Sequence, residues 1–176
     1  KIDFEALRKF FDDSDTKNIE AEHLSAELEE KIKEMIRKNK LRKHFLDWLN
    51  KLLHEYNTGS HDLDVFFDQL VELAKELSAE DARAVSENLT EEELAVFDIL
   101  RKENLNPAET DQVKKVAKEL LTKLKAEKLV LDWKKKQETQ ADVKITIQGI
   151  LYDELPEPAY SKEDCEERTR KVYLHV

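Results

Sequence analysis

Apolar residues return along this chain at intervals of three and four, the period of a helix with one buried face. Ile2, Phe4, Leu7, Phe10 and Phe11 predict a first short helix ending near Asp13. Ile19, Leu24, Leu28, Ile32, Met35 and Ile36 predict a second over residues 18–38. The third carries two stripes, one of Leu41, Phe45, Trp48, Leu52 and Tyr56 and one of Leu46, Leu49 and Leu53. Two apolar faces predict a central place in a bundle, with Trp48 in the core. The pattern closes at Asn57-Thr58-Gly59, where glycine supplies a left-handed cap. Ser60 is placed to cap the next helix, whose core face is Leu63, Phe66, Phe67, Leu70, Leu73, Ala74 and Leu77.

Capping signals divide the rest. Ser78 with Asp81, and Thr90 with Glu93, have capping-box spacing and predict short helices over residues 79–88 and 91–102. Asn104 to Pro107 is the clearest break; Asn106 as cap and Pro107 at the first helical position start a long helix reaching about Glu127. A division into two lobes, 1–104 and 105–176, would fall there. Val143-Lys144-Ile145-Thr146-Ile147 alternates as a strand does, yet Val143, Ile147, Ile150 and Leu151 also form a helical stripe. No other segment offers a strand to pair with, and a lone strand leaves its backbone polar groups unsatisfied. Residues 134–154 are therefore read as helix, ended by Pro156 and Pro158. Ser161 with Asp164 opens the last helix, through Tyr173. The expected fold is all-α, a multi-helix bundle of about seven to nine helices without significant sheet, forming one helical domain over residues 1–176.

Composition narrows the chemistry. Only 2 Gly and 3 Pro are present, too few for the tight turns of sandwiches and barrels. Neither Gly59 nor Gly149 sits in a Gly-Lys-Ser/Thr setting, so a phosphate-cradling loop and a dinucleotide fold are excluded. His54-Glu55 begins like a zinc-protease motif, but Thr58 stands at the second histidine position; His23, His44, His61 and His175 are scattered. Cys165 is the only cysteine, so no intrachain disulfide is possible and a reducing, cytoplasmic setting fits. Its neighbours Asp164 and Glu166 disfavour the thiolate and argue against a nucleophile. An Asp…Glu-x-Lys nuclease constellation would need a sheet that the pattern does not provide. Neither a metal nor a cofactor site is expected in this chain.

The net charge of −10 disfavours nonspecific nucleic-acid binding by the whole surface. It is unevenly spread: residues 31–43 carry seven Lys/Arg against one Glu, and residues 114–144 carry ten Lys against five acids. Such runs are solvated helix faces or contacts for phosphate or an acidic partner. No apolar run is long enough to span a membrane. Lys1-Ile2-Asp3-Phe4 has neither an initiator Met nor signal-peptide character, so the chain is expected to be a fragment of a longer protein.

The most informative stretch is Glu127 to Gln137. Leu129, Val130, Leu131 and Trp133 want a core, whereas Lys134, Lys135 and Lys136 want water or a negatively charged partner. Trp133 is expected in the core, with an interface left open by the lysines that follow. The run K-L-V-L-D-W-K-K-K-Q, with Asp153-Glu154-Leu155-Pro156 beyond it, resembles the C-terminal helical region of type I restriction enzyme R subunits. Phe4-Glu5-Ala6-Leu7, Glu55-Tyr56-Asn57-Thr58-Gly59, Thr90-Glu91-Glu92-Glu93-Leu94-Ala95 and Val172-Tyr173-Leu174-His175-Val176 resemble the same family in order. The resemblance implies a large cytoplasmic DNA translocase and endonuclease, with a metal-dependent nuclease domain first, two ATPase lobes next and the helical region last. ATP and magnesium would then belong to other domains, and no catalytic residue carries over to this chain. It also implies methyltransferase (modification) and specificity subunits as partners and DNA reached through that complex. Lys134, Lys135 and Lys136 are expected to form one contact, with an acidic protein surface or with DNA, because their charge stands beside an apolar anchor. A DNA-guiding module and a helical scaffold from another NTPase are the alternatives.

Overall fold

The computed structural model describes residues 3–128 and 133–176. Among them are eight α-helices and no strand: α1 (Phe4–Asp13), α2 (Lys17–Lys38), α3 (Lys43–Asn57), α4 (Leu63–Ser86), α5 (Glu91–Leu100), α6 (Pro107–Lys123), α7 (Gln137–Glu154) and α8 (Lys162–His175). Single turns of 3-10 helix at Lys40–Arg42 and Trp133–Lys135 and a π turn at Leu124–Lys128 complete the inventory. The ambiguous segment around Val143 is helical, with Val143, Ile147, Ile150 and Leu151 buried on one stripe. The expected core run Leu129-Val130-Leu131 lies outside the described residues. Contacts group the chain into two compact units, Lys1–Ser86 and Glu87–Val176. The break at Asn104 to Pro107 is the loop between α5 and α6, inside the second unit.

In the first unit, α2 buries Ala21, Leu28, Ile32 and Met35 against the inner faces of α3 and α4. Phe45, Leu49 and Leu52 are the buried residues of α3, drawn from both of its predicted stripes. Trp48 is only half-buried at the edge of that core, and Leu41 is 50% exposed in the 3-10 turn before α3. Trp48, expected in the core, packs against it only partly buried, as do Leu46, Leu53 and Tyr56, so residues of both stripes meet one broad inner face. After α3, Gly59 takes φ +74° and the Ser60 amide donates back to Glu55 O at 2.9 Å.

Two capping expectations in this unit fail. Asp62, not Ser60, caps α4: its Oδ1 accepts from the Val65 amide at 2.9 Å. Nor does the chain break at Ser78. The Ser78 hydroxyl donates to Ala74 O at 2.9 Å inside an unbroken helix that runs on to Ser86. Tertiary partners hold the next turn in place. Arg42, 2% exposed, gives its Nε hydrogen to Glu80 at 2.8 Å, and Lys31 pairs with Asp81 at 2.9 Å.

The second unit is built around α5, whose Leu94, Ala95, Val96, Phe97, Ile99 and Leu100 are buried nearly all round. A helix apolar on every side must be enclosed; α6 and α8 both pack on it, and α7 packs on both of those. Capping boxes open three helices: Thr90/Glu93 and Ser161/Asp164 at the predicted pairs, and Asn106, predicted as a cap, with Glu109 as a reciprocal partner that was not predicted. Lys102 ties the α5–α6 loop to the start of α8, with its Nζ 2.8 Å from Asp164 Oδ2 and 3.0 Å from Ala159 O. Beside it the Tyr160 hydroxyl donates to Leu100 O at 2.8 Å, and burial pushes that phenol up to about 12.

Candidate interaction surface

Trp133 and the three lysines after it occupy the entry to α7. The indole is buried and meets the Tyr173 ring of α8 edge-on, with centroids 5.9 Å apart. A large apolar anchor is thereby fixed in the second unit, and the chain reverses its preference within one residue. Lys134, Lys135 and Lys136 are all exposed. The ammonium of Lys134 lies 5.2 Å from the Trp133 ring centroid, over the negative face of the π system. Gln140 donates its side-chain amide to Lys134 O, and the Gln140 backbone amide reaches Lys136 O at 3.0 Å. These bonds set the turn on the first turn of α7.

Lys136 is the N-cap residue, with no side-chain cap bond, so Lys134 and Lys135 belong to the preceding 3-10 turn and not to α7 as expected. The placement is electrostatically unfavourable for the helix. An N-terminus carries a partial positive charge and gains from acids, not from three cations beside it; Glu138 is the only acid in the first turn. An incoming carboxylate or phosphate would relieve this repulsion.

Within residues 31–43, Arg42 and Lys31 are engaged with Glu80 and Asp81, Lys33 with Glu29 at 2.8 Å and Glu30 at 3.1 Å, and Lys38 with Glu34 at 2.9 Å. Donating to Glu29 and Glu30 raises the Lys33 ammonium, and the hydrogen bond from Lys38 lowers the Glu34 carboxyl. Most of that positive charge is neutralised within its own unit. Farther along, Lys114 pairs with Glu87 at 2.6 Å and Lys125 with Glu92.

Cys165 is 4% exposed with its Sγ 3.7 Å from Leu151 O. Its thiol is pushed up first by burial and then by the charges of Asp164 and Glu157, rather than by the neighbouring Glu166 that the sequence suggested. His23 faces Glu27 at 3.5 Å, His44 Nδ1 lies 3.0 Å from Leu41 O, and His61 faces Glu55 at 3.5 Å. His54 and His175 sit in the last turns of α3 and α8. Among the described residues no group of three His, Cys, Asp or Glu could hold a metal ion, and no helix is long and apolar enough to cross a membrane. Gly59 lies in the turn after α3 and Gly149 lies inside α7. The buried Arg42–Glu80 pair and the Lys102–Asp164 latch were not foreseen: each joins residues far apart in sequence, and no local spacing signals them.

Comparison with known proteins bears on the whole chain. The profile of the family described as "Type I restriction enzyme HindI endonuclease subunit-like, C-terminal" matches residues 1–175. A protein of Methanocaldococcus jannaschii, named "Putative type I restriction enzyme MjaIXP endonuclease subunit", is 32% identical over 131 residues. That match covers 72% of this chain but 12% of that protein. No solved structure matches the chain. An all-helical chain whose residues 1–175 match this profile belongs to the family of C-terminal domains of HindI-like type I restriction enzyme endonuclease subunits.

Proposed function

We propose that this domain docks the endonuclease subunit of a cytoplasmic type I restriction enzyme onto its methyltransferase and specificity subunits, with Lys134, Lys135 and Lys136 as one contact. The observation that carries the reading is three adjacent exposed cations at the start of α7, anchored from behind by a buried tryptophan, in a member of this family. A motor that reels DNA toward a fixed recognition complex must stay attached under load. A separate helical anchor leaves ATPase lobes elsewhere in the subunit free to open and close. Tethering also raises the effective concentration of the motor near its site, so a modest contact suffices. ATP and magnesium would act in those other domains; no step is assigned to residues of this chain.

The test uses the full-length subunit with Lys134, Lys135 and Lys136 all changed to alanine. Assembly with the modification–specificity complex should weaken while the helical circular dichroism is unchanged. Deleting residues 1–176 should abolish assembly, and normal assembly and translocation without them would refute the docking role. The same cations suit a second reading in which they touch duplex DNA leaving the complex. Each phosphate contact would then add about 0.9 to the log–log salt slope of DNA binding, and the alanine variant would lose that increment.

A further inference from the structure

The strongest unassigned feature is in the first unit. A groove of about 910 Å³ runs between α1 on one side and α2 and α4 on the other. Phe4 and Leu7 form one wall, Leu24 and Leu28 the opposite one, and Ala74 and Leu77 of α4 the floor. Helix α1 therefore does not fill the cleft it lies against. Of its ten residues only Phe11 is buried, while Phe4 and Leu7 are half-buried and Phe10 is 59% exposed.

What holds α1 is concentrated at Arg8 and Phe11. Phe11 stacks on Phe67 with centroids 3.7 Å apart. Arg8 reaches Asp68 at 2.7 Å and Asp64 at 3.7 Å, and Lys17 lies 5.2 Å from the Phe11 ring. Asp64 and Asp68 are 58% and 61% exposed, so salt screens this part of the hold. At the other end, Phe4 has the Lys75 ammonium 6.0 Å from its ring centroid. The connection to α2 is the short turn around Ser14, whose backbone is extended.

We propose that α1 is a strap that opens and closes over the apolar groove as one unit, independently of the α2–α4 bundle. The single aromatic stack and the screened ion pairs form its clasp. Opening frees Phe4, Leu7 and Phe11 together and uncovers Leu24, Leu28 and Leu77. A helix with so few enclosed residues is drawn from the low-stability end of the fold, whereas Leu70, Leu73 and Leu77 of α4 are at most 2% exposed.

Amide hydrogen exchange of the 176-residue chain, read by mass spectrometry or NMR, tests this. Backbone amides from Leu7 onward carry helical bonds, beginning with Leu7 N to Asp3 O at 3.0 Å. Those from Leu7 to Phe11 should exchange at one shared rate, at least about tenfold faster than Leu70 to Leu77. Asp68→Asn or added salt should speed the α1 set by about two- to fivefold and leave α4 unchanged. Phe11→Ala should remove α1 protection, raise binding of the dye ANS, and keep α2–α4 at wild-type rates. Three results would overturn the strap: α1 and α4 exchanging together, a gradient of rates along α1 as in simple fraying, or loss of α2–α4 protection in Phe11→Ala.

Discussion

Changing Glu80 to Ala removes the carboxylate that receives the Nε hydrogen of Arg42, a guanidinium 2% exposed in the first unit. Breaking a buried pair from one side costs about 3–5 kcal/mol, because the remaining charge stays desolvated. Glu80 is itself 13% exposed and also lies 3.4 Å from Arg83, so water can reach part of the vacated space. A loss of about 2–4 kcal/mol is expected on that account. With a urea dependence of about 1–2 kcal/mol per molar for a unit of this size, the unfolding midpoint should fall by about 2 M. Trp48 and Trp133 are the 2 tryptophans of the chain and lie in different units, so Trp48 fluorescence in a Trp133→Phe background reports the first unit alone. The double variant Arg42→Met, Glu80→Leu should recover at least half of the loss, since apolar side chains of similar volume need no charge partner. A Glu80→Ala stability within about 0.5 kcal/mol of the parent, at equal slope, would refute the assignment of this pair as what carries α4 past Ser78.

Three smaller effects should follow from local geometry. Lys102, and then the Ser161 amide, hold the Asp164 carboxyl at about 2, below its ordinary 3.8. Its folded value is depressed, so its stabilisation is present above about pH 4 and is lost as pH falls toward 2. Asp164→Asn keeps a capping oxygen; at 24% exposure it should cost about 1–2 kcal/mol at pH 7, a small part of that near pH 2 and nothing below it, measured by Trp133 fluorescence in a Trp48→Phe background. Asp62→Ala should lower stability by about 1 kcal/mol through loss of the α4 cap, whereas Ser60→Ala should be near neutral; the reverse order in urea titrations would reinstate Ser60 as the cap. Gly59→Ala meets no atom within 4 Å, so its cost is backbone strain at φ +74°, about 1–2 kcal/mol by thermal unfolding.

Helix class, most boundaries and three caps were legible in the sequence, because they depend on residues three or four apart. Thr90 meets Glu93, Asn106 meets Glu109 and Ser161 meets Asp164 within one turn, whatever the rest of the chain does. The same spacing at Ser78 and Asp81 misled for a physical reason. Arg42 and Lys31, distant in sequence, recruit Glu80 and Asp81, and Leu77 and Ala84 are buried on either side, so the continuous helix wins over the local cap. Trp48 shows the same limit: periodicity placed it on an inner stripe, but which edge of α3 faces the core is decided by where α2 and α4 pack. For the candidate surface, the sequence by itself determined that Lys134 to Lys136 lie beside an apolar anchor. Only the tertiary structure decided that Trp133 is buried edge-on to Tyr173 and that the lysines stand at a helix N-terminus. In the other basic run, Lys33 and Lys38 meet glutamates one turn away on α2, whereas Lys31 and Arg42 meet acids that only packing against α4 brings near. Composition counts charges along a chain, whereas neutralisation depends on which of them meet in space.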